Sequence, residues 1–152
     1  MTVETVDAGP RKISRRVVVD APASVLFEQL ANPHKHAQID GSGTVGDATK
    51  GPDTLAQGDT FSVKMKQFGL PYKITSKVVA FEQDRLIEWK HPAGHTWRWE
   101  LVETKPGTTQ VTETWDASRT PAFAVYKVSG MTGRNEKGIE ATLEGLRTRY
   151  AQ

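Results

Sequence analysis

The sequence predicts an α+β fold in which a curved antiparallel sheet of about seven strands wraps around one long C-terminal helix, with two short helices after the first strand. Three observations carry this. Through residues 60–116, apolar and polar residues alternate with period two, in runs separated by Gly- and Pro-containing turns. Ahead of them, Asp20-Ala21-Pro22 follows the β-branched run Val17-Val18-Val19 and precedes Ala23, Leu26, Phe27 and Leu30, the spacing of a short amphipathic helix. From Arg119 to Gln152 the period changes. Val125, Val128, Thr132, Asn135, Ile139, Thr142, Leu146 and Tyr150 recur at steps of three and four, one side of an α-helix of about thirty residues.

Residues 1–10 are polar and small, end in Gly9-Pro10, and read as a flexible leader; residues 11–152 read as a single domain. Arg11 to Val19 is the first strand, stopped by Asp20, which is also a candidate helix cap with Pro22 in the first turn. Asn32-Pro33 ends that helix, a second short helical stretch runs from Pro33 to Ile39, and Asp40-Gly41-Ser42-Gly43 returns the chain to extended structure. A weak strand at Thr44 to Ala48 comes next, then a stronger one in which Phe61, Val63 and Met65 alternate with Ser62, Lys64 and Lys66. Tyr72, Ile74, Ser76, Val78 and Ala80 share one face of a long strand; Ile87 and Trp89 point inward from the next. His95, Trp97, Trp99 and Leu101 alternate with Thr96, Arg98 and Glu100, and after Lys105-Pro106-Gly107 the final strand runs from Val111 to Asp116. In the closing helix, Gly130 and Gly133 mark a bend, and Gly138, Ala141 and Gly145 make a smooth strip that a backbone or ligand can approach. A thirty-residue helix spans about 45 Å, enough to cross the concave face of the sheet. The result is a helix-grip arrangement with a cleft between sheet and helix.

Composition narrows the class. The chain of 152 residues with 37% hydrophobic content supports one core that buries about two-thirds of its unfolded surface. With 20 basic and 18 acidic residues, charge alone does not argue for nucleic acid. The lack of cysteine excludes disulfides and thiolate metal sites. No apolar signal core opens the chain and no stretch approaches the roughly 18 apolar residues of a membrane span, so the protein reads as cytoplasmic.

Five motifs in fixed order then resemble a known family. They are Asp20-Ala21-Pro22-Ala23-Ser24-Val25-Leu26-Phe27 after the first strand, Asp40-Gly41-Ser42-Gly43-Thr44-Val45, Trp97-Arg98-Trp99-Glu100-Leu101, Thr112-Glu113-Thr114-Trp115-Asp116, and Arg134-Asn135-Glu136-Lys137-Gly138 in the helix. From Arg11 to Tyr150 the chain resembles the polyketide cyclase/dehydrase and lipid-transport group of the START-related, birch-pollen-allergen-like superfamily. The resemblance implies the helix-grip fold and a hydrophobic cavity. It carries over no catalytic residue, because members of such a superfamily share shape and differ in chemistry.

The candidate ligand contacts follow from the elements. Trp89, Trp97, Trp99 and Trp115, with Tyr72, Tyr126 and Met65, make apolar walls with polar handles suited to a flat hydrophobic ligand; for any single tryptophan core filling is the better reading, while the set as a whole favours a cavity. Asn135 and Ile139 face the same space from the helix. Glu113 depends on register: a three-residue hairpin loop at Pro106-Gly107 puts it with Trp99 and Leu101 inside the cleft, and a two-residue loop turns it outward. Inside, it can serve as acid, base or anchor; outside, it is a solvated strand residue. His91 and His95 flank a turn at the cavity mouth, and His34 and His36 lie in the second short helix. Neither pair has a third ligand at suitable spacing, so no metal is expected, and no cofactor. Asp40, Ser42 and the loop Phe68-Gly69-Leu70-Pro71 are a possible gate and lid, or ordinary turn and packing residues. Lys64, Lys66, Lys73 and Lys77 form a basic stripe on the outer face, read as solvated.

No Gly-x-Ser-x-Gly elbow, phosphate loop or cysteine nucleophile is present. Three functions stay open: a binding protein for a small hydrophobic (aromatic, polyketide-like or lipid-like) molecule, a cyclase/dehydratase-type enzyme working by general acid/base chemistry, and a partner-binding accessory domain using the basic stripe. No nucleic acid or membrane span is expected, and the protein is read as a monomer or homodimer.

Overall fold

The computed structural model describes residues 3–39, 45–67, 70–120 and 130–151. Along them run strands β1 (Glu4–Val6), β2 (Lys12–Val19), β3 (Val45–Lys50), β4 (Thr60–Gln67), β5 (Leu70–Glu82), β6 (Leu86–Lys90), β7 (Thr96–Lys105) and β8 (Thr108–Asp116). The helices are α1 (Ala23–Leu30), a 3-10 turn at Pro33–Lys35, α2 (His36–Ile39) and α3 (Met131–Arg149). The strands form one antiparallel sheet in the order β1-β2-β8-β7-β6-β5-β4-β3. Hairpins build the meander from β3 to β8, and β8 then closes on β2, so the first long strand and the last lie side by side. The α+β class, the antiparallel sheet and the C-terminal helix are those read from the sequence.

Several details differ, each for a local reason. Glu4–Val6, expected in an unpacked leader, pairs with residues 14–16 and sets the Glu4 carboxylate 3.0 Å from Arg16 Nε. The edge of β2 offers free backbone groups that this short strand satisfies. Asp20 does not cap α1. Pro22 holds the N-cap position with no side-chain bond to give, and the Ala23 N–H donates instead to Glu103 Oε1 on β7 at 2.7 Å. In β5, Val78 pairs with Trp89 but Ala80 with Glu88; this bulge turns Phe81, not Ala80, toward the core, where it meets Phe27 edge-on at 5.5 Å.

The closing helix is shorter than the periodicity implies. α3 has 19 residues, about 28 Å, and starts after Gly130, whose φ of 78° breaks helical continuity. Val125 and Val128 lie outside the described residues. Its buried face is Ile139, Thr142, Leu143 and Leu146, rotated toward Leu143 relative to the expected row. Ala141 and Gly145 therefore face solvent, and nothing lies within 4 Å of where a Gly145 side chain would begin, so at those two positions the smooth strip is no contact surface, while Gly138 is half-buried.

Aliphatic packing concentrates at one end of the concave face. Val17, Val19, Leu101 and Val111 from the sheet are buried with Leu26, Phe27 and Leu30 of α1 and with Leu143 and Leu146 of α3. Tyr150 Oη bonds to Gln29 Oε1 at 2.8 Å, tying the end of α3 to α1.

Candidate functional site

The other end of the same face is aromatic. Strand register builds it in rungs: Ile13 pairs with Trp115, Trp115 with Trp97, and Trp97 with Trp89; one step nearer the aliphatic end, Arg15 pairs with Glu113, Glu113 with Trp99, and Trp99 with Ile87. Period-two alternation puts all of these side chains on the concave side. Trp99 and Trp115 are buried, while Trp89 and Trp97 are half-buried. The rings fall into two groups, linked by the pairing of Trp97 with Trp89 across the β6–β7 ladder. Trp97 and Trp115 lie 6.5 Å apart, Trp89 stacks on His36 of α2 at 5.0 Å, and Phe61 meets both edge-on at 5.4 and 5.6 Å. The buried Trp99 Nε1 has no hydrogen-bond partner among the described residues.

His91 and His95 close this end. Their rings stack at 4.2 Å, and His95 also contacts Trp97 and Trp115 at 6.0 and 5.7 Å. The turn between them is fixed by the His91 N–H on the His95 carbonyl (2.9 Å), the Gly94 N–H on the His91 carbonyl (2.9 Å) and the Ala93 N–H on His91 Nδ1 (3.0 Å). Because Nδ1 accepts, the neutral His91 ring carries its proton on Nε2. Thr120 Oγ1 donates to the Ala93 carbonyl at 2.7 Å, and at Gly94, with φ of 104°, an added Cβ would stand 3.1 Å from Thr120. Burial lowers the pKa of His91; burial and the neighbouring His91 hold His95 down to about 3. Both rings are neutral near pH 7.

The register of Glu113 has a specific cause. The hairpin turn is the two-residue Pro106-Gly107, which alone would face Glu113 outward, but Glu103 pairs with Thr109 and Lys105 with Thr108. The bulge at Thr104 between those pairs restores the inward parity, so Glu113 stands buried beside Trp99 as the longer loop would have placed it. Opposite it, Arg15 is buried and bridges sheet to helix, with Glu136 at 2.9 Å, Glu140 at 3.4 Å and the Ser14 carbonyl at 2.8 Å. Arg15 is the residue that sequence reading missed. Its signal was present, since it alternates with Ile13, Val17 and Val19, but a charged residue in an alternating strand reads as solvent-facing.

The remaining candidates are scattered. Ile139 is buried and Asn135 half-buried on α3. Met65 pairs with Tyr72 in the β4–β5 ladder, but Tyr72 is 38% exposed near the hairpin end rather than beneath the helix. Tyr126, Asp40, Ser42, Phe68 and Gly69 lie outside the described residues. The two histidines after α1 diverge: His36 Nε2 bonds to the Leu30 carbonyl at 2.7 Å in the interior, whereas His34 Nε2 lies 2.9 Å from the Gly51 carbonyl at the surface. No group of three or more His, Cys, Asp or Glu able to hold a metal occurs among the described residues.

This arrangement, an antiparallel sheet gripping a C-terminal helix over an aromatic concave face, has known counterparts. Residues 10–151 match the family described as polyketide cyclase / dehydrase and lipid transport. The chain belongs to this family. A relative from Mycobacterium tuberculosis, the protein Rv0088, is 49% identical over an alignment that covers all of this chain and 70% of its own length. Among solved structures, the Zhui aromatase/cyclase from Streptomyces sp. R1128 superposes with a TM-score of 0.66 at 18% identity, covering 93% of this chain and 96% of that one. Protein Ms6760 from Mycobacterium smegmatis gives 0.69 at 14%, covering 98% and 96%. At those identities the structures establish the fold, and the family resemblance read from the five motifs is confirmed by the family match. Membership in the polyketide cyclase/dehydrase and lipid transport family leaves the chemistry to be argued from the concave face itself.

Proposed function

We propose that the protein binds a small hydrophobic molecule, aromatic, polyketide-like or lipid-like, between the sheet and α3. The observation that carries this is the pair of half-buried indoles, Trp89 and Trp97, on a concave face whose neighbouring Trp99 and Trp115 are buried. A large apolar ring left partly open forgoes burial worth about 25 cal/mol per Å², which a flat ligand lying on it supplies. The neutral His91 and the Trp99 N–H are polar groups suited to orienting such a ligand, and Asn135 can add another from α3. Family membership supports the same reading at a coarser level.

Native mass spectrometry of protein from its own host, followed by titration of tryptophan fluorescence with polycyclic aromatic and fatty-acid probes, tests it. A co-purifying hydrophobic molecule, or saturable quenching weakened about tenfold in Trp97→Ala, is the expected result. A protein that is empty and binds no probe counts against the reading. A second reading, proton transfer on the bound molecule, is favoured by the burial of Glu113 beside Trp99 and opposite Arg15. Glu113→Gln should then abolish turnover of a poly-β-ketone substrate while leaving its affinity nearly unchanged; equal turnover by the variant removes Glu113 from the chemistry.

A further inference from the structure

The two halves of α3 are attached to the rest of the molecule by different means. From Ile139 onward apolar burial anchors the helix: Ile139, Leu143 and Leu146 lie in the core, and Tyr150 Oη donates to Gln29 Oε1 at 2.8 Å. The first two turns have no such anchor. No side chain described from Thr132 to Gly138 is buried as a whole, and Thr132 Oγ1 is shut off from solvent without a hydrogen-bond partner among the described residues. Local stability is low as well. Gly130 gives no side-chain cap, no acidic residue stands in the first turn, and Gly133 and Gly138 are poor helix formers.

Arg15 supplies the missing attachment. Its Nη2 lies 2.9 Å from Glu136 Oε1 and its Nε 3.4 Å from Glu140 Oε1, so one guanidinium forks across a single turn of the helix. The base of this fork is fixed: Arg15 is buried on β2, and its Nη1 donates to the Ser14 carbonyl at 2.8 Å. The two carboxylates are half-exposed. Four residues apart on one helix face, they repel each other once no cation lies between them, so losing Arg15 both detaches the half-helix and weakens it. Arg15 also shares its rung with the buried Glu113 and Trp99, which sets the joint at the border of the aromatic end.

We propose that Arg15 is a latch on α3: its fork to Glu136 and Glu140 keeps the first two turns against the sheet, and its release lets residues 131–138 open as one unit. That opening is the route by which a guest enters and leaves, a step that rests on the binding function argued above. Amide hydrogen exchange of the full chain without ligand tests the latch by itself. Arg15→Met keeps a long apolar stem on β2 and removes the charge. In this variant the amides of Asn135 to Gly138 should exchange at least about tenfold faster, and those of Leu143 to Arg147 within about twofold of the unaltered protein. Glu136→Gln, which leaves Arg15 on Glu140, should speed the same first-half amides severalfold. Equal acceleration in both halves overturns the latch, because Arg15 then supports the whole fold, and so does unchanged exchange from Asn135 to Gly138. Stopped-flow binding of the neutral probe N-phenylnaphthylamine tests the route. Association and dissociation should both quicken about tenfold in Arg15→Met with the dissociation constant changed less than about threefold, because the latch closes over the filled and the empty site alike. Rates that stay the same while the half-helix opens overturn the route. A protein that binds no probe removes the guest and the route together, while the exchange pattern still decides the latch.

Discussion

The two ends of the concave face are built by the same strands, yet they pack differently. At the aliphatic end, Val17, Leu101 and Val111 meet Leu26, Phe27, Leu30, Leu143 and Leu146, all at most 3% exposed. At the aromatic end, Trp89 and Trp97 stay half-buried, and so do Thr132, Asn135 and Gly138 in the first turns of α3. Arg15 marks the border: its rung lies between the two, and its guanidinium ties Glu136 and Glu140 to the sheet. One end is a finished core. The other has large rings without matching apolar cover among the described residues, which is what a site for a hydrophobic guest requires.

The largest expected effect tests that contrast directly. Leu143→Ala, at the finished end, should cost about 2–5 kcal/mol in chemical denaturation, because the removed side chain leaves a cavity among buried neighbours. Trp97→Ala removes more atoms but from a half-buried position, and should cost less, about 2 kcal/mol, while weakening ligand binding. Equal losses of stability, or a ligand affinity that falls with Leu143 and ignores Trp97, would erase the distinction between the two ends.

Acid should separate the ends next. His95 is buried among Trp97, Trp115 and His91 with its pKa held down to about 3, against an ordinary value of 6.5. Between those limits the unfolded chain binds the proton and the folded one does not, so the stability is fully present above about pH 6.5 and drains away as pH falls. About 3 kcal/mol should be lost between pH 6.5 and pH 4 on this account. His95→Asn should flatten that part of the profile. Denaturation midpoints measured across the range decide it, and an unchanged slope in the variant would assign the acid sensitivity to other groups.

The strands, α1 and the family were legible because each rests on local repetition: period two in 60–116, the spacing of Leu26, Phe27 and Leu30, five motifs in order. The site was legible only in part, because what places its polar members is non-repetitive. One extra residue at Thr104 reverses the parity of everything after it, so the face of Glu113 hung on a bulge that no pattern announces. The bulge at Val79 likewise exchanged Ala80 for Phe81 in the core. Arg15 was hidden by its own charge, and its inward position makes sense only once Glu136 and Glu140 arrive from a helix 120 residues later along the chain. Tyr72 shares the inward parity but sits on the part of β5 that extends beyond its pairing with β6, and it stays 38% exposed there.

The smallest effect concerns a single carboxylate at the finished end that also bears on the other. Glu103 Oε1 accepts from the first N–H of α1 at 2.7 Å, and Oε2 lies 3.4 Å from the Gly107 N–H in the hairpin turn, immediately beside the bulge that turns Glu113 inward. It replaces the cap that Pro22 cannot supply, and its charge suits the positive end of the helix. Glu103→Ala should therefore cost about 1 kcal/mol, and Glu103→Gln, which keeps an acceptor but loses the charge, should recover about half of it. Because the bulge is also held by the pairing of Glu103 with Thr109 and of Lys105 with Thr108, the register should survive: tryptophan fluorescence and ligand affinity should match those of the unaltered protein. A shifted emission maximum in Glu103→Ala would mean that the cap also sets the hairpin, and that the two ends of the face are coupled through one side chain rather than independently built.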